Sequence, residues 1–480
     1  FLALCILVSV FVNQLQYRSR CFHSLFAYSE FLHFISYSAQ LGNEIKQLSH
    51  PTMERERKEV SHHNLSSISP KPELEDDRFA YPPSVVSLNL SQEIDLFSPD
   101  YYEQMLLIRK EIAERQSVVP SILHQLQESS PHRTDGITTD THAILTNVCF
   151  DKQWRIHLFN NSDIVRSGQS KLRANDFYYN QAIVHPSCFN DSLPLGAYHN
   201  MIITHTRSNH NIFHILESQG VLVKLALHPE LFPSIHYFVF ASFSFKSAWW
   251  SLLNKLILDL FDPSRRPTII DPWRRSGVKN LYCDRSLTLL RTWDSRGSGM
   301  FIGEKLGVDM LRAAAYHYAN VHPQRERTQL HVLAIQRKGK RKIVNFDTLV
   351  KEMSKIEETT LRKVMLEELS PVEQVSLFAD TDVIVSPHGA GLTNVIFMLP
   401  RSGVVELFPP NFVFFCYKRM CESADILYLH VKGVPATPPP CVNKKQCVFE
   451  TMRDVDFAVF VNQTVAATRN MIDLVKVHKY

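Results

Sequence analysis

At 480 residues, 45% hydrophobic and 21% charged, the chain is long enough for two globular domains and additional segments. A net charge of +4 is too small to argue for nucleic acid, and a mean hydropathy of −0.13 excludes a multispanning membrane protein. No repeat period is visible.

The chain opens with an apolar run, Phe1 to Val12, too short to cross a bilayer alone. It reads as the end of a signal anchor or signal peptide over 1–20, with a buried terminal helix as the alternative. Cys21 to Tyr37 is aromatic but broken by Ser24, Glu30 and His33, as an interfacial segment would be. Residues 40–100 are polar and proline-dotted, and Met105, Leu106, Ile112 and Leu123 then recur at helical spacing. Residues 21–130 are therefore read as a stem or linker with an amphipathic helix. Sequons stand at Asn64, Asn89, Asn160, Asn190 and Asn462. With the apolar start they favour the lumen of the secretory pathway. Nine cysteines show neither CxxC pairs nor zinc spacing. An oxidising lumen should bridge some of them, Cys441 with Cys447 and Cys149 with Cys188 being candidates.

From about residue 131 to 325 the pattern is that of a first α/β domain. Strands are expected at Ala143–Cys149 and Trp154–Phe159; Ile202–Thr206, His214–Val223 and Ile235–Ala241 continue the domain, with a helix at Trp249–Phe261. Pro263 to Val278, rich in proline and arginine, reads as an exposed connection. A second domain, 326–452, opens with the strand Leu330–Ile335, and the basic run Arg337-Lys-Gly-Lys-Arg341 follows it. Ser370-Pro371-Val372-Glu373 is a capping box with proline at the first helical position, opening a helix to about Ala379. Asp380-Thr381-Asp382 has the look of a metal-binding DxD. It falls at the amino end of the next strand, the edge away from a ligand, so capping and termination are the expected roles.

Val383-Ile-Val385 is a buried parallel strand by pattern. It runs into Ser386-Pro-His-Gly-Ala-Gly-Leu-Thr-Asn394. Gly389 and Gly391 remove two Cβ atoms where the chain turns. Leu392, Val395, Ile396 and Leu399 predict a helix that Pro400 stops. Its free amides, just past Gly391, form an anion cradle suited to a diphosphate. Val404–Phe408 is the next buried strand. The order helix, strand, helix, strand is that of a doubly wound parallel sheet, with the His-Gly-Ala-Gly loop and Glu406 near its ligand-binding edge. A last helix, within 453–480, is expected to cross back onto the first domain.

The stretch Gln374 to Phe408, with HGAGLTN and VVELFP, resembles glycosyltransferase family 61. Asn211-Ile-Phe-His214, Arg337 with Arg341, and Asn345 give weaker echoes, so the resemblance covers roughly residues 140–410. It implies a GT-B fold, two Rossmann-like α/β domains facing a central cleft, here preceded by an anchor and stem. It implies inverting, metal-independent transfer of a sugar, GlcNAc or xylose, from a UDP-sugar donor. The acceptor would be a hydroxyl of a glycoprotein or glycan. The enzyme would be a type II membrane-anchored protein of the Golgi or endoplasmic reticulum, with no cofactor and no metal.

Such a reaction stabilises a departing diphosphate and removes a proton from the acceptor. Arg337 and Arg341 offer fork donors for phosphate, with Lys338, Lys340 and Lys342 adding field. The plain alternative is an exposed basic turn. His388 either contacts donor phosphate or sugar, or holds its loop through a backbone carbonyl. Gly389, Ala390, Gly391, Leu392, Thr393 and Asn394 form the cradle. Glu406 could accept the ribose hydroxyls, or serve in an ion pair. His214 is the candidate acceptor-side base, with His210 its competitor. The resembling family places an aspartate four positions after this histidine; here Ser218 stands there, preceded by Glu217. Either Glu217 substitutes, or the base lies elsewhere, or the chain is a catalytically inactive luminal relative that binds without transfer. A nicotinamide oxidoreductase is a third class, but no G-x-G-x-x-G follows a first strand.

Overall fold

The computed structural model describes residues 93–116, 119–129, 132–138, 142–160, 182–189, 201–205, 211–241, 247–271, 273, 280–290, 302–324, 327–436 and 453–479. All belong to one compact unit, Arg78–Tyr480. The apolar start, the stretch Cys21–Tyr37, the sequons at Asn64, Asn89 and Asn190, His210, and Cys5, Cys21, Cys441 and Cys447 lie outside these residues. Among the described residues no helix is long and apolar enough to cross a membrane.

The protein is mixed α/β with parallel strands in both of its large sheets. The described helices are α1 (Tyr101–Ala113), α2 (Val119–Ser129), α3 (Ile212–Leu227), α4 (Ala248–Asp259), α5 (Lys305–Ala319), α6 (Phe346–Met353), α7 (Pro371–Ala379), α8 (Cys416–Ser423) and α9 (Val461–Lys479). The first sheet holds β1 (Asp135–Thr138), β2 (His142–Asp151), β3 (Ile156–Phe159), β4 (Ile183–His185), β5 (Met201–His205), β6 (Tyr237–Ala241), β7 (Thr268–Ile270) and β8 (Leu281–Leu290). Its order is β4-β3-β2-β8-β5-β6-β7, with β1 beside β2.

The first sheet departs from a plain Rossmann pattern. Strands β8, β5, β6 and β7 are parallel, but β2 runs antiparallel to β1, β3 and β8. In that antiparallel register Cys149 lies opposite Cys283, and the two form a disulfide. The expected Cys149–Cys188 pair is therefore incorrect: Cys188 is a free, exposed thiol. Spacing along the chain could not reveal a partner supplied by a strand 134 residues away. Within Pro263–Val278, expected to be only a connection, β7 adds the edge strand.

The helix read as part of a stem is packed into the molecule. Tyr101, Met105, Ile108 and Ile112 of α1 are buried in the core shared with α3 and α5. The Tyr101 hydroxyl donates to the Val321 carbonyl, and Tyr102 stacks on His317 with ring centroids 3.7 Å apart.

The second sheet is wholly parallel. Its strands β9 (Leu330–Gln336), β10 (Thr359–Met365), β11 (Val383–Pro387), β12 (Gly403–Phe408) and β13 (Leu427–Lys432) lie in the order β10-β9-β11-β12-β13. This is a doubly wound order that reverses between β9 and β11, and in such sheets the crevice at the reversal is the ligand site. Side chains alternate across the sheet. Val332, Ala334, Val383, Val385 and Val405 face α6 and α9, while Leu333, Ile335, Ile384 and Val404 face the core that holds α7 and α8. Helix α9 does not follow the expected crossing; it packs on β11, β12 and β13. A Cβ on Gly403 would come 2.2 Å from the Met471 sulfur, so α9 sits directly on β12.

After the glycine loop the expected helix forms, but as a 3-10 helix, Ala390–Phe397. Its last carbonyls are satisfied from α5. The buried guanidinium of Arg312 donates to the Ile396 carbonyl at 3.1 Å and to Ala424 at 2.6 Å, and the Tyr316 hydroxyl donates to Phe397 at 2.7 Å. Asp309 balances the arginine at 2.6 Å. One hydrophobic core thus runs from α1, α3, α4 and α5 to α7, the 3-10 helix and α8.

Candidate active site

A cavity of about 560 Å³ lies at the carboxyl ends of β9 and β11, at the reversal of strand order. That volume suits a small-molecule ligand. Four helix amino termini meet there: α3 at Asn211 and Ile212, α4 at Ser247–Trp249, α7 at Pro371 and Gln374, and the 3-10 helix at Gly389–Gly391. The three α-helix starts are locally encoded. The Asn211 side chain accepts from the Phe213 amide, Ser247 from the Trp250 amide, and Ser370 and Glu373 close the expected capping box. Four converging positive dipole ends favour an anion in the space between them.

Arg337, at the end of β9, lines the same cavity, with Gly389, Ala390 and Gly391. Its Nη1 reaches the His388 carbonyl at 3.4 Å, and a Cβ on Gly389 would come 2.4 Å from that atom. Glycine is needed here for close approach. The basic segment and the glycine loop, separate in sequence, are one site. Arg341 is largely buried on its turn. Among the described residues its Nε has no partner, and Asp454, at 4.0 Å, is also held by Lys340 at 2.8 Å. Burial, followed by the charge of Arg337, pulls the Arg341 pKa below its ordinary value. Two guanidinium groups with so little balancing charge suit an anion. Lys338 and Lys340 instead form exposed surface pairs with Glu368 and Asp454.

The structure places the remaining cradle residues differently. Leu392 is core, and its amide already donates to the Gly389 carbonyl at 2.9 Å. The amides open to a ligand are therefore those of Ala390 and Gly391, not those past Gly391. Thr393 and Asn394 are fully buried. Asn394 ties the helix to Gln374 and to the Gly391 carbonyl, each at 3.0 Å.

Glu406 does not face the crevice. It has no solvent exposure; one oxygen meets His388 Nδ1 at 2.5 Å and the other accepts from the Tyr428 hydroxyl at 2.5 Å. The expectation of a ribose contact gives way to a buried link beneath the loop. His388 is nearly buried too, its ring among Phe408, Phe412, Phe414 and Tyr417.

His214 sits in the first turn of α3, close to the cavity but not lining it. Its Nδ1 is 2.5 Å from Oε2 of buried Glu217, three residues on. Residues three apart share a helix face, which is why Glu217 reaches it. Ser218 turns its hydroxyl back to the Ile215 carbonyl. The Phe213 ring touches Tyr417, which touches His388, so an aromatic path joins the two histidines. Sequence reading missed Tyr417, Tyr428 and Gln374. Tyr428 reaches Glu406 across two adjacent strands, which leaves no local signal.

The DxD acids are engaged at the opposite edge. Asp382 is buried and accepts from the His331 amide at 2.8 Å, and Arg327 bonds Asp380 at 2.8 Å. Among the described residues no cluster of three or more His, Cys, Asp or Glu is arranged to hold a metal.

A doubly wound sheet with an anion-seeking crevice and a histidine–carboxylate pair beside it accords with the class of glycosyltransferases. A family model described as Glycosyltransferase 61 matches residues 272–405, which take in Arg337, Arg341 and the whole glycine loop. Over that segment the chain is similar to glycosyltransferase family 61. The chain is also similar to the EGF domain-specific O-linked N-acetylglucosamine transferase of Drosophila melanogaster, 26% identical over 104 residues. That alignment spans 21% of this chain and 19% of the relative, about a fifth of its length.

Proposed function

We propose that this protein transfers a sugar, GlcNAc or xylose, from a UDP-sugar to a hydroxyl of a glycoprotein or glycan, inverting and without a metal. The observation that carries the reading is the meeting of Arg337 and four helix amino termini in one cavity at the strand-order reversal. The diphosphate would lie there, on the Ala390 and Gly391 amides, with Arg337 and Arg341 as counter-charge. The protein would thereby supply the positive charge that a divalent ion provides in other transferases.

His214 would take the acceptor proton, with Glu217 holding its Nδ1–H and stabilising the imidazolium that forms. The two sheets would act as the donor and acceptor halves of a GT-B enzyme. The protein would work in the Golgi or endoplasmic reticulum lumen as a type II membrane-anchored enzyme. The Cys149–Cys283 disulfide and the exposed Asn160 and Asn462 sequons support a luminal setting. The contact between His214 and Glu217 supports this reading over a silent relative, because Glu217 stands where it could take the role that Ser218 leaves.

The test is UDP release from UDP-GlcNAc and UDP-xylose, with and without EDTA, in the presence of candidate acceptors. Turnover that survives the chelator is expected. His214→Ala should lower kcat by about 10²- to 10⁴-fold with donor affinity kept. Donor binding with no turnover under any acceptor would favour the inactive relative instead.

A further inference from the structure

Burial of Glu406 beneath the loop leaves the expected ribose contact without a residue. Among the described residues that line the crevice there is one carboxylate, Glu367, and one cation, Arg337. Glu367 stands just past β10, in the short turn Leu366–Glu368. That turn is held in place from below. Leu366 is buried, and a Cβ on Gly391 would come 2.7 Å from its Cδ1. The Gln374 side chain donates to the Leu366 and Leu369 carbonyls at 2.9 and 3.1 Å. The Lys338 amide, next to Arg337, donates to Oε1 of Glu367 at 3.4 Å. The Lys338 ammonium pairs instead with Glu368. Among the described residues no cation pairs with Glu367 and its Oε2 has no partner, so that oxygen is open to a ligand.

The walls of the crevice restrict how a nucleotide can lie in it. They come from the ends of β9 and β11, the turn after β10, and the starts of α3, α4, α7 and the 3-10 helix. None of the described lining residues belongs to β12 or β13, and on the β12 side the rings of His388 and Phe408 pack together. A ligand anchored on the Ala390 and Gly391 amides therefore extends past Arg337 toward β10. Strands lie about 4.8 Å apart, so the end of β10 is about 10 Å from that of β11. A ribose joined to a diphosphate spans that distance. Leu366, Leu369 and Pro371 supply apolar surface beyond it for a base. A carboxylate is repelled by phosphate but accepts well from hydroxyls, and acidic residues take the ribose in dinucleotide sites of doubly wound sheets.

We propose that Glu367 is a specificity-determining residue that accepts the two hydroxyls of the donor's ribose, with the nucleoside lying over the end of β10. This rests on the donor reading of the crevice. The sugar, at the other end of the diphosphate, then points away from β10. It faces α3, which packs on the 3-10 helix and carries His214 in its first turn. A deoxyribose lacks the hydroxyl pair, so the crevice selects ribonucleotides. Nothing in the local sequence separates Glu367 from Glu368; only the pairing of Glu368 with Lys338 and the place of Glu367 in the crevice wall do.

The experiment is calorimetric titration, with EDTA present, of UDP, 2′,3′-dideoxyuridine diphosphate and pyrophosphate. Wild type should bind UDP about 10- to 100-fold more tightly than the dideoxy ligand, as expected for hydrogen bonds to a charged group. Glu367→Ala should bring UDP down to the level of the dideoxy ligand. It should bind the dideoxy ligand and pyrophosphate no more weakly than wild type does, because a like charge has been removed. Glu367→Gln accepts hydrogen bonds without the charge, and its preference for UDP should fall between those of wild type and Glu367→Ala.

A merely structural role, in which Glu367 steadies the turn that carries Arg337, would weaken all three ligands together in Glu367→Ala and overturn the proposal. Equal wild-type affinity for UDP and the dideoxy ligand overturns it with the donor reading intact, as does a preference for UDP that survives in Glu367→Ala. Failure of wild type to bind any of the three overturns both the proposal and the donor reading. If Glu367→Ala does not fold, Glu367→Gln decides it: a reduced preference for UDP over the dideoxy ligand sustains the proposal, and an unchanged preference overturns it.

Discussion

Gly389 and Arg337 show how a single missing Cβ couples two segments. With a side chain at 389 the guanidinium, the flexible end of the pair, must move aside. Gly389→Ala should therefore keep the fold, with a Tm close to wild type, and weaken donor binding about tenfold. Arg337→Ala should weaken it by about 10- to 100-fold, the worth of a charge-assisted hydrogen bond to phosphate. Calorimetric titration with UDP checks both, and equal affinity in wild type and Arg337→Ala would remove the arginine from the site. At this scale residue types were legible: glycines, arginines and histidines were singled out by their chemistry. Orientation was not. Glu406 follows Val404 and Val405 in its strand, and alternation alone does not tell whether a strand-end carboxylate meets solvent or a neighbouring strand.

The helix after the glycine loop is set by tertiary contacts more than by its own residues. Leu392, Val395 and Ile396 announce an apolar helix, and they do bury. Its tight winding goes with Arg312 and Tyr316 of α5, which take its final carbonyls, and a distant helix leaves no mark on the local pattern. Arg312→Ala removes the donor to the buried Ile396 and Ala424 carbonyls and leaves Asp309 to Lys305, and should cost about 3–5 kcal/mol, as loss of one partner of a buried pair does. Arg312→Lys keeps the charge but not the fork, and should recover only part of that. Denaturant unfolding of the two variants measures the difference. The capping box at Ser370, by contrast, was fully legible, because every atom it needs lies within four residues.

For the whole molecule the first sheet's strands β2, β3, β5 and β6 were readable but not their mixed directions, whereas the parallel character of the second sheet was. An all-parallel sheet writes near-continuous apolar runs, such as Val383–Val385 and Val404–Val405. The first sheet mixes directions, and β2 takes its partner β8 from far along the chain. Two histidines, buried His142 and partly buried His228, give the assembled unit opposite pH responses. His228 is raised to about 9 by the hydrogen bonds it donates to Glu230 and Glu304. A raised folded value contributes stability that is complete below the ordinary 6.5 and lost as pH climbs to about 9. His142 is lowered to about 3, by burial and then by Lys224. Its contribution is present above 6.5 and lost as pH falls toward 3. Tm should peak near neutrality. His228→Gln should flatten the alkaline decline and His142→Leu the acid one, as scanning calorimetry across pH would record.

The Cys149–Cys283 bond also means that everything between those two positions is a closed ring of chain. A protease that cuts once inside the ring leaves two fragments still fastened together. Such a clipped sample would run as one band on a denaturing gel without thiol and as two bands with it. Purity judged without reductant would overlook the break.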